Sequence, residues 1–169
     1  MKKYRCDLNN NAVATTSFEI KLNRSYTAKL LQASDEAKGY YNELKNYILS
    51  YKNISNRTSW YFESFNNGRN QLVKFGIKGK TLCLYYGLDV KEYKSTKYLV
   101  EEVSTLKLKE VPCLYRIKNS RRCNYAKDLV DNVMKKYGLV KGEEAHNKYD
   151  LPYETNKSLL ARKLIKEVK

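Results

Sequence analysis

Proline and glycine are scarce in this chain, two and seven in 169 residues, which argues against a largely disordered or low-complexity segment. Histidine is scarcer still, with His146 alone. The four cysteines, Cys6, Cys83, Cys113 and Cys123, are widely and unevenly spaced with no C-x-x-C pair. That pattern reads as cytosolic and free of structural zinc. Three of them sit inside apolar or helical runs, where burial as small hydrophobes is expected. No stretch approaches the roughly eighteen apolar residues of a membrane span, and Met1 to Cys6 continue into Asp and Asn rather than a signal-peptide core. A cytoplasmic location with no membrane partner is therefore expected.

Catalytic signatures are missing as well. There is no G-x-S-x-G elbow, and His146 has no nucleophile beside it. Gly79-Lys80-Thr81 lacks the upstream glycine of a phosphate loop. The acid-x-Lys triplets Glu19-x-Lys21 and Asp89-x-Lys91 are of the kind that chance produces in a lysine-rich chain. No catalytic residue, cofactor or metal is assigned; a metal-dependent nuclease is the one enzymatic reading left standing.

What the chain has in abundance is positive charge. Thirty-three lysines and arginines face eighteen acids, a net charge of +15, and sixteen tyrosines are spread among them. Self-repulsion of this size works against the compact state, so an anionic, phosphate-rich partner is the natural counterpart. The length suits one domain, and 42% hydrophobic residues suffice for a core.

Residues 1–24 read as a basic N-terminal arm, with a short alternating piece from Ser17 to Leu22. Residues 25–140 read as the core domain, and 141–169 as a linker followed by an amphipathic segment, Asn156 to Val168. Ser34 caps a helix predicted to reach Tyr51, with Asp35 and Glu36 in its first turn and Tyr40, Tyr41, Leu44, Tyr47, Ile48 and Tyr51 on one face. Tyr26 to Gln32 is either a turn of the same helical layer or a separate short segment. The period then becomes alternating in three runs, Thr58 to Phe65, Gln71 to Ile77 and Thr81 to Leu88, with turns at Asn66-Asn67-Gly68 and Lys78-Gly79-Lys80. Further strands are expected near Tyr98 to Val103 and Pro112 to Lys118. A second helix, capped by Ser120 and running to Tyr137, points Tyr125, Leu129, Val133 and Met134 inward and stops before Gly138. The expected fold class is α+β: an antiparallel meander of about five strands with two main helices on one face, plus a short C-terminal helix. The other face is expected to be partly open.

Arg57, Arg69, Lys74, Lys78 and Lys80 in the hairpin region, and Arg116, Lys118, Arg121 and Arg122 at a strand-to-helix junction, are the candidate anion-binding residues. Guanidinium groups hold phosphate through paired hydrogen bonds, and lysines add point charge. The helix start beside Arg121 and Arg122 adds backbone N–H groups. The same charges can equally form a solvated face paired to Glu63, Glu110 or Asp128. Trp60 is either a base-stacking residue or a core anchor between sheet and helix. Alternation sends Tyr85 and Tyr86 to opposite faces, and Tyr86 is taken as a ligand contact.

The stretch from Tyr26 to Leu139 resembles an uncharacterised domain of hypothetical proteins from Gram-positive bacteria, often in tandem copies. The likeness is carried by Arg57, Ser59-Trp60, Glu63, Phe65, Gly68-Arg69, Lys74, Gly79-Lys80-Thr81-Leu82-Cys83, Pro112, Leu114 to Asn119 and Arg121-Arg122, with Leu151-Pro152-Tyr153-Glu154 after them. More distantly, the pattern is similar to YdhG-like α+β domains. The lone domain with basic ends suggests a phage or mobile-element version. The resemblance implies an architecture and no activity. Residues and resemblance together lead to a non-enzymatic binder of a phosphate-bearing ligand. That ligand is expected to be a nucleotide or cyclic oligonucleotide, sequestered from host immune signalling, with homodimerisation left open. Alternatives are nonspecific DNA or RNA binding, or inhibition of an acidic host protein.

Overall fold

The computed structural model describes residues 5–6, 12–13 and 20–168. Two two-residue strands, β1 (Arg5–Cys6) and β2 (Ala12–Val13), pair antiparallel near the start of the chain. Then come β3 (Leu22–Arg24), α1 (Tyr26–Leu31) and α2 (Asp35–Leu49). Ser25 and Ser34 cap the two helices, each accepting a hydrogen bond from the backbone three residues on, so α1 is a separate helix. Of the expected strand at Ser17 to Leu22, residues 17–19 lie outside the described residues, and the ladder begins only at Leu22.

The main sheet has six antiparallel strands: β4 (Ser55–Thr58), β5 (Glu63–Asn67), β6 (Asn70–Lys78), β7 (Thr81–Tyr86), β8 (Glu101–Glu102) and β9 (Cys113–Ile117). Their spatial order is β4-β5-β6-β7-β9-β8. The run from Thr58 to Phe65 is thus a hairpin rather than one strand. Its turn, Ser59 to Phe62, contains no glycine, proline or asparagine; it is closed by the Ser59 amide on the Phe62 carbonyl at 2.8 Å, while the Ser59 hydroxyl bonds the Phe62 backbone. At the far end of β6, Gly79 adopts φ +61, the left-handed conformation that the first position of a tight two-residue hairpin demands. A short helix, α3 (Val90–Tyr93), and a 3-10 turn (Leu106–Leu108) interrupt the path to β9.

Helix α4 (Ser120–Lys136) follows β9 directly, and its cap is Asn119 rather than Ser120: the Asn119 side chain accepts the Arg122 N–H at 2.9 Å. Cys123, Ala126, Leu129, Val130, Val133 and Met134 are its buried face, with Tyr125 only half-buried. With Leu44 and Ile48 of α2, they pack on Phe65, Val73, Phe75, Leu84 and Tyr115 of the sheet, so both long helices cover one face as expected. α5 (Asn156–Ala161) and β10 (Ile165–Glu167) end the chain; β10 pairs with β3, and Leu159 and Ile165 are buried beside Ala28 and Leu31. The outer segments of the sequence therefore meet each other.

The opposite sheet face is not open at its centre. The connection between β8 and β9 folds back so that Leu108 and Val111 cover Cys83, Tyr85 and Leu114, with Phe62 and Val103 at the margin. Gly76 makes this possible, since a Cβ there would stand 3.2 Å from both the Phe62 and Tyr85 rings.

Residues 141–149 run extended along α2. Asn42, Asn46 and Ser50 lie four residues apart on that helix and act as surrogate peptide groups. Asn46 bonds both the amide and the carbonyl of Asn147, Asn42 does the same for Tyr149, and the Ser50 hydroxyl accepts from Ala145. One helical step of four residues rises about 6 Å and two extended residues about 6.6 Å, so the two repeats stay in phase.

Candidate functional site

The expected site residues do not form one pocket. Arg57 shares a register row with Ser64, Lys74, Tyr85, Leu114 and Glu101, on the sheet face away from the long helices. It is exposed on the edge strand β4. Arg69 sits in the β5–β6 turn and Lys80 in the β6–β7 turn, at opposite ends of a nine-residue strand, about 30 Å apart.

Lys74 is withdrawn from any ligand. It is buried, its ammonium donates to the Lys107 carbonyl at 3.1 Å and stands 5.5 Å from the Phe62 ring centre, and burial lowers its pKa. Its charge fastens the covering segment to the sheet. Tyr86 is withdrawn too: it points into the helix layer, fully buried, and donates its hydroxyl to the Ala126 carbonyl at 2.9 Å. Tyr85 takes the other face and is buried against Phe62. Trp60 is neither a core anchor nor a free platform. It is half-buried in the β4–β5 turn, its carbonyl accepts from Tyr26 N–H at 2.7 Å, and the Lys166 ammonium lies 4.5 Å from its ring.

Glu63 is committed elsewhere. Its buried carboxylate accepts from the hydroxyls of Tyr26 (2.8 Å) and Tyr41 (3.2 Å) and from the Asn56 amide, and it pairs with Lys45 at 2.7 Å. Burial first, then the adjacent carboxylate, drives both phenol pKa values up. A second carboxylate, Asp131 on α4, accepts from Tyr47 of α2 and from Tyr51 just beyond its end, with Lys141 beside it. These acids tie elements together and leave the candidate cations alone. Glu101 is the exception: it accepts from Arg116 Nε at 2.6 Å, a bond that lowers its own pKa and raises that of Arg116.

What does converge is one corner. The β6–β7 turn brings Lys80, the end of β9 brings Lys118, and the first turn of α4 brings Arg121 and Arg122. Lys80 and Lys118 line a cleft of about 190 Å³ with Ser34, Glu36, Tyr40 and Thr81. Arg122 lies 4.6 Å from the Tyr115 ring centre, and Arg121 donates to the Tyr125 hydroxyl at 3.2 Å. Among the described residues, none of these four cations has a carboxylate within 4.0 Å. The α4 amide that an anion would meet first is already satisfied by Asn119, so side chains rather than the helix end make this corner attractive to phosphate.

Sequence reasoning missed Lys97 and Tyr98, which the long excursion between α3 and β8 carries to the exposed side of Tyr125. The Tyr98 and Tyr125 rings are 5.6 Å apart at 86°, and the Lys97 ammonium stands 5.3 and 5.0 Å from their centres. Only the four-residue spacing of Arg121 and Tyr125 could have signalled it.

Another cleft, about 400 Å³, lies beside the extended segment and is lined by Glu43, Lys127, Lys141, Glu144 and His146 among others. Its cations are paired with acids, Lys127 with Glu43 and Lys141 with Asp131. Asp89 caps α3 through the Lys91 amide at 3.0 Å, while Glu19 lies outside the described residues. Among the described residues, no three His, Cys, Asp or Glu side chains come together as a metal site, and no helix is long and apolar enough to cross a membrane. Cys83, Cys113 and Cys123 are free and buried, and burial pushes the thiols of Cys113 and Cys123 up to about 12. Comparisons with protein-family models, curated proteins and solved structures found no match.

Proposed function

We propose that this chain is a non-enzymatic binder of a phosphate-bearing polyanion, held at the corner formed by Lys80, Lys118, Arg121 and Arg122. The observation that supports this reading is the placement of four cations at one corner by two chain segments, Lys80 in the β6–β7 turn and Lys118 to Arg122 where β9 runs into α4, none with a carboxylate within 4.0 Å among the described residues. The net charge of +15 favours the same class of partner by long-range attraction. Several residues that carry the resemblance to the Gram-positive domain, Gly79-Lys80, Lys118-Asn119 and Arg121-Arg122, belong to this corner.

A smaller ligand, a nucleotide or cyclic oligonucleotide, is favoured by the cleft between Lys80 and Lys118. Its volume of about 190 Å³ is below the roughly 300 Å³ at which ligand pockets usually begin, so the extended ligand leads. Sequestration of a host signal by a phage-borne protein belongs to that second reading, and an acidic protein partner to a third.

The test is titration of a fluorescent oligonucleotide across a salt series. Four phosphate contacts predict that log K falls against log salt with a slope of about −3 for a single strand or about −3.6 for a duplex. The double variant Arg121→Gln, Arg122→Gln should lower the slope by about 1.4 to 1.8. A slope near zero, with a discrete nucleotide released on heating the purified protein, would replace the polyanion by a pocket ligand.

A further inference from the structure

We infer that the corner takes single-stranded rather than duplex nucleic acid, with a base stacked on the Tyr98–Tyr125 pair and the flanking phosphates on Lys118, Arg121 and Arg122. This rests on the polyanion reading and narrows it.

The two rings are fixed in place. Both are half-buried, Tyr93 backs Tyr98 at 6.2 Å, and the perpendicular packing of Tyr98 on Tyr125 locks one ring against the other. Half-burial with a T-shaped neighbour leaves part of an aromatic surface toward solvent, pre-ordered at no entropy cost to binding. Cations ring that surface. Arg121 is bonded to the Tyr125 hydroxyl and lies 5.5 Å from its ring centre. Lys97 is exposed and spans both rings, so its ammonium can move to a phosphate while a base replaces it on the π-face.

This interleaving of aromatic and basic groups suits unpaired bases, whose faces can leave a stack and rest on tyrosine. A duplex hides those faces and would use only the cations. Asp128 sets the boundary. Its carboxylate lies 3.5 Å from the Tyr98 hydroxyl and turns the phosphate path back toward Arg121 and Arg122.

The experiment compares three labelled probes on the full chain: a single strand of about twelve nucleotides, within the usual site size of single-strand binders, a hairpin duplex of the same charge, and inorganic polyphosphate. The single strand should bind most tightly. Tyr125→Leu should weaken it about five- to a hundredfold while leaving polyphosphate unchanged, and Tyr125→Phe should restore it. Equal or tighter binding of the duplex, or Tyr125→Leu and Tyr98→Leu both without effect on the single strand, would overturn the stacking inference while the polyanion reading survives on polyphosphate. Failure of all three probes would overturn both. Unchanged thermal melting of the variants separates these outcomes from misfolding.

Discussion

Two regions of this molecule handle lysine and arginine in opposite ways. At the inner end of α2, Lys45 is drawn in beside a carboxylate that is 1% exposed, and every oxygen of Glu63 has donors from α1, α2 or β4. At the β9–α4 corner, Lys118 and Arg121 stand exposed beside the half-buried Arg122, the two arginines against tyrosine rings, and among the described residues none of the three has a carboxylate within 4.0 Å. The first arrangement specifies which elements meet; the second holds charge ready for something outside the chain. Whether a cation serves the fold or a ligand thus depends on where the few acids are placed, and not on its own identity.

The comparison is broken most sharply at Lys45. Replacing it with Met leaves Glu63 buried and charged, although two phenols and an amide still serve it. Denaturant unfolding should show a loss of about 3 kcal/mol, the lower end for a broken buried pair. Arg121→Gln should shift the same midpoint by less than about 0.5 kcal/mol while weakening oligonucleotide binding. Comparable stability losses in both variants would dissolve the distinction.

Asn46→Ala removes both bonds to Asn147 and should cost about 1–2 kcal/mol. Its signature is local, with faster hydrogen exchange of the Asn147 and Tyr149 amides while β6 and β7 stay protected. Asn119→Ala uncaps α4 at a cost of about 1 kcal/mol, read by thermal unfolding. It should also loosen Arg121 and Arg122, so a weaker single-strand affinity accompanies it.

The smallest effect lies at Glu101, the acid paired with Arg116. Arg116 holds its pKa below the usual 4.5, so its folded form binds the proton more weakly than the unfolded chain does. The stabilisation is present above that value and is lost as pH falls through the depressed folded pKa. Because Glu101 is 52% exposed, solvent screening limits it to a few tenths of a kcal/mol. Glu101→Gln should flatten that part of the pH–stability profile and, by releasing Arg116, tighten polyanion binding slightly.

Much of the architecture was legible because it rests on local rules. The tyrosine and leucine spacing after Ser34 made α2 readable, and glycine at 68 and 79 marked two of the hairpins. The β4–β5 hairpin was hidden because Ser59 to Phe62 turns through a serine hydroxyl and three aromatic residues that resemble a strand. Two expected site residues, Lys74 and Tyr86, lay in alternating strands whose outward side cannot be known until a covering segment is placed. The stripe of Asn42, Asn46 and Ser50 looks in sequence like any solvated helix face. Its partner, a hundred residues away, was not legible.

The sequence by itself determined the α+β class, the two long helices with their termini to within a residue or two, and the surplus of positive charge. These follow from periodicity, capping and counting, which act over a few residues. Only the tertiary structure decided which cations are spent inside the fold, that the centre of the second sheet face is covered by 103–112, and that Tyr98 and Tyr125 meet beside Arg121. Those outcomes depend on chain segments far apart in sequence packing at angstrom distances, and no local propensity encodes them.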